Sequence, residues 1–579
     1  MLFSKGHLSA WVISFTTWAI LESSIRILLD HPYWNLLKAL DFTLWNLAFY
    51  LAWSLLLGIP HAILLSKTAS DKIKNKWLRQ CILPEWVTAI YAILTPMILI
   101  ESSFLMRRFT SSIVLSWAFG ILIIIIIYID LIILRPLIER VKQKLSSLKY
   151  FFIIGVNIIS LCVILAIPLK NFNQQQTIKK LSGPIKYVIL ISIDTLRYDY
   201  VSCYGFPNAQ TPIIDNIAQE GVRFENAFSL IPLTGPSHSS MLTGFSPIIH
   251  GVTINNIPLP NKIKTITEHL HSAGFRTGGF VSGYPLKALH CRLDKGFDFY
   301  DDRFCFNDRF NETYYGKILG ETFFRYSGME RTAKRVTDSA LEWLHKDYKS
   351  PFFIFLHYFD PHYPYGDISK IFQERASISD LPNQRRLYAK DITMVDSEIG
   401  RFIDFLKHHG IYNEALIIIT ADHGESFGEH NYYYDHPEYL YDQLVRIPLI
   451  IRCPLLIKPE FVYVDQVSLI DIYRTIASSV GFTPRQEIGG YDLIQMIRPE
   501  PNPSNRIIMA HTFAPEAKCN RHMVRTLEWK LIRNDEKSGP VYELYNLIDD
   551  PGEKINHIEL NREKAHELEH RMKQLNLIR

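Results

Sequence analysis

Three short apolar runs in the second half of the sequence each end in residues that bind metals or carry protons. Asp194 follows YVILISI (Tyr187–Ile193), His357 follows FFIFL (Phe352–Leu356), and Asp422-His423 follows ALIIIT (Ala415–Thr420) after a single alanine. A fourth segment, LTGPSHSSMLTG (Leu233–Gly244), sets Thr234 just ahead of Pro236, a residue suited to a first helical turn, and closes on Gly244. A hydroxyl there meets the positive end of a helix dipole and free N–H groups, which favour an anion. A carboxylate and imidazole set that holds a divalent cation would make that hydroxyl a usable nucleophile. His238, four residues on from Thr234, is a candidate to touch a transferred group. His362 in HYFDPHYPY and His436 in YYYDHPEYLY join His357 as candidates for holding substrate or completing a second metal site.

The elements that must position these residues are legible in outline. The three runs, with Pro448–Ile451 and a shorter Gly279–Val281, read as buried strands alternating with helices, the signature of a layered α/β domain. Apolar residues at Ile392, Val395, Ile399, Phe402, Ile403 and Leu406 predict an amphipathic helix over Asp391–His409 closing at Gly410, with Asp396 in a structural place. Thr211-Pro212 predicts a second helix start, with Thr211 as its cap. In open α/β sheets ligands bind beyond the C-terminal ends of the strands, where Asp194, His357 and Asp422-His423 fall.

Over the whole chain, 579 residues at 48% hydrophobic and 21% charged conceal a division near residue 170. Before it lie apolar stretches near Leu8–Leu29, Leu40–Leu65, Trp86–Leu105, Ile113–Leu134 and Phe151–Leu169, each long enough to span a bilayer. Lysines and arginines cluster after the second and fourth stretches, which predicts a cytoplasmic N-terminus and an extracytoplasmic C-terminal half. The expected organisation is a transmembrane domain over 1–170, a linker over 171–185, a catalytic domain over 186–480 and a C-terminal subdomain over 481–579. A net charge of +4 gives no reason to expect nucleic acid as a partner. The seven cysteines include no CxxC pair; Cys291 and Cys305 either form a disulfide or stay as thiols, and Asn311-Glu312-Thr313 is a glycosylation sequon.

The segments VILISIDTLRYDYVSCYG (Val188–Gly205), TPIIDNIAQEGVRFENAF (Thr211–Phe228), TGPSHSSMLTG (Thr234–Gly244), TADHGESFGEH (Thr420–His430), LVRIPLII (Leu444–Ile451), WKLIR and ELYNLIDDPGEKIN, in this order, resemble the sulfatase branch of the alkaline phosphatase superfamily. The resemblance implies an α/β/α sandwich with a mixed central sheet and a small C-terminal subdomain. It also implies a metal held at Asp194, Asp422 and His423, with the nucleophile, itself a metal ligand, at Thr234. Two departures bear on substrate. Sulfatases convert a cysteine or serine in C/S-x-P-x-R to formylglycine, and the matching positions here are Thr234-Gly235-Pro236-Ser237-His238. The usual aspartate pair after the first strand is Asp194-Thr195, and the usual Asp-Asn is Asp422-His423. Imidazole in place of oxygen favours zinc or manganese over calcium. A threonine nucleophile, an Asp-His pair and five preceding apolar stretches also look like the membrane phosphoethanolamine transferases and lipoteichoic acid synthases. The expectation is a membrane-anchored hydrolase or transferase of phosphoesters on a lipid or glycan. Sulfate-ester hydrolysis without formylglycine and a non-catalytic receptor or scaffold are the alternatives.

Overall fold

The structure is a computed structural model that describes residues 183–575 except 206–209, 305–330, 367–375, 485 and 499–505. The five apolar stretches, nearly all of the linker, the sequon and Cys305 lie outside the described residues. Among those residues, no helix is long and apolar enough to cross a membrane. Cys291 is buried, and its Sγ accepts the Leu293 N–H. The described residues fall in one compact unit, Thr177–Phe304 with Gly328–Arg579.

Its centre is a nine-stranded mixed sheet of β1 (Tyr187–Ile193), β2 (Val222–Phe228), β3 (Arg276–Phe280), β4 (Phe299–Asp301), β5 (Phe352–Tyr358), β6 (Ala415–Ala421), β7 (Arg446–Ile447), β8 (Leu449–Arg452) and β9 (Phe461–Ser468). The order is β4-β3-β5-β1-β6-β8-β2-β7, with β9 also paired to β2. From β4 to β6 the strands are parallel, β8 runs against β6, and β2 runs against β8. β1, β5 and β6 are almost wholly buried, so each reads as a continuous apolar run without alternation.

Two groups of helices flank the sheet. One comprises α1 (Pro212–Gln219), α4 (Ala333–Lys346) and α5 (Leu381–His408), and the other α2 (Thr234–Thr243), α3 (Ile266–Ser272) and α6 (Asp471–Ser479). This is the expected sandwich. A second sheet, β10 (Ile508–Thr512), β11 (Arg521–Arg525), β12 (Trp529–Glu536) and β13 (Gly539–Asn546), is antiparallel in that order, and α7 (Arg562–Gln574) packs on it.

Several local expectations need correction. β5 runs on through Tyr358, so His357 is its penultimate residue rather than the first beyond it. α5 begins ten residues ahead of Asp391, at Leu381, where Pro382 fits its first turn. Thr211 precedes α1, yet its hydroxyl does not cap it. Asp396 of α5 does so from across the layer, accepting the Ile213 and Ile214 N–H groups at 3.2 and 2.9 Å. That contact gives Asp396 its structural place and locks two helices together.

Candidate active site

β1 and β6 run parallel in register, with Ile193 level with Ala421, so Asp194 and Asp422 are each the first residue beyond neighbouring strands. Such strands lie about 4.8 Å apart, which obliges the two carboxylates to meet. Ligand atoms of Asp194, Asp422 and His423 all lie within 4.8 Å of one another. The turn after β6 is held tight by Gly424, where a Cβ would stand 2.0 Å from the Gln443 carbonyl oxygen. His423 Nδ1 donates to the Gly424 oxygen at 3.0 Å, which leaves the Nε2 lone pair facing Asp422 Oδ2 at 3.3 Å and Asp194 Oδ1 at 4.0 Å.

These side chains are fully buried, and Asp194 Oδ1, Asp422 Oδ2 and His423 Nε2 have no hydrogen-bond partner. Burial pushes Asp194 up despite nearby histidines, and pushes Asp422 far up with Asp194 adding to the effect. Burial and His436 hold His423 well below the usual imidazole range. Three converging atoms with free lone pairs in a dry space fit a divalent cation, which would offset the cost of burying the carboxylates.

Thr234 is the first residue of α2 and is 1% exposed. Its hydroxyl is near enough to Asp194 to favour the charged carboxylate, against the larger effect of burial. The expected row of free N–H groups beside it is not found. Gly235 N–H donates to Asn255 Oδ1 at 2.8 Å, Pro236 has none, and Ser237 N–H bonds Leu233 O at 2.9 Å. The first turn therefore offers an anion chiefly its dipole.

His238, one turn along α2, stands with its Nδ1 3.7 Å from Asp422 Oδ2. Its Nδ1 donates to Thr234 O at 2.8 Å and its Nε2 accepts from Ser192 Oγ at 2.9 Å, so both nitrogens are engaged. Burial and the nearby His357 push His238 down to about 3, and it is neutral. His357 Nε2 contacts Asp194 Oδ2 at 3.1 Å and orients that carboxylate.

His362 and His436 form a separate pair at the edge of the cluster. Each Nδ1 donates to a backbone carbonyl, His362 to Tyr363 O at 2.7 Å and His436 to Pro232 O at 2.8 Å. Their Nε2 atoms face one another at 3.4 Å, and burial pushes the His362 imidazole down. The His436 ring also lies 4.1 Å from that of His423.

Sequence reasoning missed Ser192, which meets His238 Nε2, and Asn255, which reaches Gly235 from a loop beyond α2. It also missed the conformation of Thr195, a β-branched residue at φ 54°, whose hydroxyl turns to Pro361 O at 3.0 Å and whose N–H donates to Asp422 Oδ1 at 3.2 Å. Ser192 stands on the alternation of β1 and was detectable. Nothing local marks Asn255.

Residues 186–482 match the sulfatase family, and residues 428–578 match the C-terminal region of N-sulphoglucosamine sulphohydrolase. The chain belongs to the sulfatase family. It is thus an enzyme of the alkaline phosphatase superfamily and a sulfatase-family hydrolase, in a family whose members are generally metal-dependent. An ulvan-active sulfatase of Formosa agariphila is 25% identical over 65% of this chain and 78% of its own length. An N-acetylglucosamine-6-O-sulfatase of Bacteroides thetaiotaomicron is 23% identical over 64% of this chain and 82% of its own. In fold, this sulfatase-family chain is similar to a phosphonate monoester hydrolase of Agrobacterium radiobacter, with a TM-score of 0.54, 20% identity and coverage of 68% of this chain and 95% of that one.

Proposed function

We propose that this sulfatase-family enzyme cleaves or transfers a phosphoester group through Thr234, acting on a lipid- or glycan-borne substrate at an extracytoplasmic membrane face. The observation that carries the reading is the buried Thr234 hydroxyl beside three unpartnered ligand atoms. Formylglycine is an aldehyde, and the extra methyl of threonine prevents its formation at this position. Held by Asp194, Asp422, His423 and the Thr234 oxygen, a divalent cation, with zinc or manganese favoured over calcium, would lower the hydroxyl pKa and offset charge on the phosphoryl oxygens.

The chain's own groups account for the rest. The Thr234 hydroxyl proton has Asp194 as its acceptor. Thr234 Oγ forms a bond to phosphorus as the ester P–O bond breaks, and the departing alkoxide takes a proton from the His362 and His436 pair. Water or an acceptor alcohol then attacks phosphothreonine, its proton passing to the same imidazoles, while the Thr234 Oγ–P bond breaks and Asp194 returns the proton to Thr234 Oγ. His238 fixes the backbone of the nucleophile, and His357 fixes Asp194. The apolar stretches before residue 170 supply the multi-pass anchor, with the N-terminus in the cytoplasm.

The test is peptide mass spectrometry of the full chain incubated with membrane lipid and glycan extracts, wild type beside Thr234→Ala. A phospho-group adduct on Thr234 is expected, with turnover of Thr234→Ala lower by about 10³-fold or more. Undiminished turnover in the alanine variant would sink the threonine mechanism. The sulfatases among the relatives favour one second reading, sulfate-ester hydrolysis by direct water attack, which predicts sulfate release with no adduct.

A further inference from the structure

We infer that His357 sets the metal selectivity of the site by holding Asp194 to a single ligand oxygen, which closes the site on a small ligand set of the kind that suits zinc. This role rests on the metal site of the proposed function and not on its phosphoester chemistry. His357 is the penultimate residue of β5 and is level with Ser192 of β1. Side chains alternate along a strand, so Ser192 and Asp194, two residues apart, share a face, and an imidazole from the neighbouring strand meets them there. The ring is fully buried. It is walled by the His238 ring, edge-on at 4.9 Å, and by Gly283, where a Cβ would stand 3.2 Å from His357 Cε1. Its Nδ1 has no partner, and among the described residues the ring makes one hydrogen bond, from Nε2 to Asp194 Oδ2 at 3.1 Å. Burying an imidazole with one nitrogen unsatisfied is unfavourable, and the carboxylate is the one polar group that the ring serves.

The same restraint recurs at each ligand. Asp422 Oδ1 accepts the Thr195 N–H at 3.2 Å and the His423 N–H at 2.9 Å, which occupies both its lone pairs and leaves Oδ2. His423 Nδ1 donates to the Gly424 oxygen, which leaves Nε2. With Oδ2 of Asp194 taken by His357, Oδ1 is left. Each side chain thus offers the cation one atom. Their neighbours add none: the Thr195 hydroxyl donates to Pro361 O, both His238 nitrogens are engaged, and Glu425, buried with an unpartnered Oε2, stands outside the converging set. Asp194 Oδ1, Asp422 Oδ2 and His423 Nε2, with the Thr234 oxygen, complete the ligands. Calcium takes about six to eight oxygens, often both from one carboxylate, and manganese favours an octahedral oxygen shell, whereas zinc is satisfied by a tetrahedral set that includes imidazole. Asp422 is restrained by backbone N–H groups of the turns after β1 and β6. Asp194 is restrained by a side chain from another strand, and substitution can lift that restraint.

The test reads metal binding rather than turnover. The full chain in detergent is stripped with chelator and titrated with zinc, manganese, calcium and cobalt, as wild type, His357→Leu and His357→Gln. Wild type is expected to show the intense visible absorption of four-coordinate cobalt. His357→Leu frees Asp194 Oδ2, so its cobalt absorption should weaken toward that of a higher coordination number. Its zinc affinity should fall about 10- to 100-fold, and its preference for zinc over manganese should narrow by about 10-fold. His357→Gln, whose amide can donate to Asp194 Oδ2, should restore the wild-type spectrum and preference. His357→Asn, too short to reach that oxygen, should behave as the leucine variant and replaces it if that variant does not fold. A role confined to packing would lower the affinity for every cation alike and leave the cobalt spectrum unchanged. That result overturns the proposal, as does weak cobalt absorption in wild type. A wild type that binds no divalent cation would refute the metal site itself, whereas cations bound without a change of preference among the variants refute the role of His357 alone. Absence of a phospho-adduct on Thr234 would leave both standing.

Discussion

At the scale of single residues, the site is an arrangement of unsatisfied atoms. Asp194 and Asp422 are held together by strand register, and without a counter-charge their burial is unfavourable. Metal binding and folding are therefore linked, and chelation should lower the melting temperature. A cation at about 100 times its Kd stabilises by about 2.7 kcal/mol, a loss that calorimetry with and without chelator reads directly. Asp422→Asn sharpens the test. An amide oxygen can still accept the Thr195 and His423 N–H groups that Asp422 Oδ1 accepts. The variant should thus lose turnover yet melt higher than wild type in chelator. A lower melting temperature there would show that the carboxylate charge is not what strains the pocket.

At the scale of elements, α5 carries buried carboxyls with structural tasks. Asp396 caps α1, and Asp391 Oδ2 accepts the Gly366 N–H at 2.7 Å in the segment after β5. Burial, with a further contribution from Asp360, pushes the Asp391 carboxyl up from 3.8 to about 7. Its folded value thus exceeds its unfolded one. The associated stability is present in full below pH 3.8 and is lost as pH rises through 7. Asp391→Asn can keep the Gly366 bond through its amide oxygen and removes the titration. Its melting temperature should match wild type near pH 4 and exceed it at pH 8, as parallel thermal scans would show. Gly244 makes the other element-scale case. It ends α2 at φ 70°, and a Cβ there would meet Ile488 Cγ2 at 2.6 Å. Gly244→Ala should cost about 1–3 kcal/mol by denaturant titration.

At the scale of the whole molecule, the C-terminal sheet is bound to the catalytic fold by buried charge. Lys530 of β12 is fully buried, with Asp442 at 2.5 Å and Glu553 at 2.6 Å, and Arg525 of β11 reaches Asp442 at 3.1 Å. Asp442 adjoins the turn on which Gly424 packs. The same sheet bonds the segments flanking the site, through His511 N–H to Leu230 O at 2.8 Å and Thr512 Oγ1 to Pro437 O at 2.5 Å. Lys530→Met would leave Glu553 without its cation and Asp442 with Arg525 alone. It should cost about 3–5 kcal/mol and lower turnover from a distance. Unchanged denaturation and kinetics would show that the two sheets are independent.

The sequence by itself determined five of the nine strands of the main sheet, the residues Asp194, Asp422 and His423 that meet at its edge, and the family. Long apolar runs admit little else in a parallel core, and Asp194, Asp422 and His423 stand at their ends. It also placed Thr234 at a helix start and Asp396 in a structural position, because both follow from local periodicity and breakers. The tertiary structure decided what each polar group does with its second partner. That Ser192 meets His238, that Asn255 occupies the Gly235 N–H, and that the His362 and His436 Nε2 atoms face one another all depend on contacts between distant segments. Spacing along a chain constrains local geometry only within a few residues. Hydrogen-bond partners across 20 to 200 positions are chosen by register and layer packing, which form only when the sheet does.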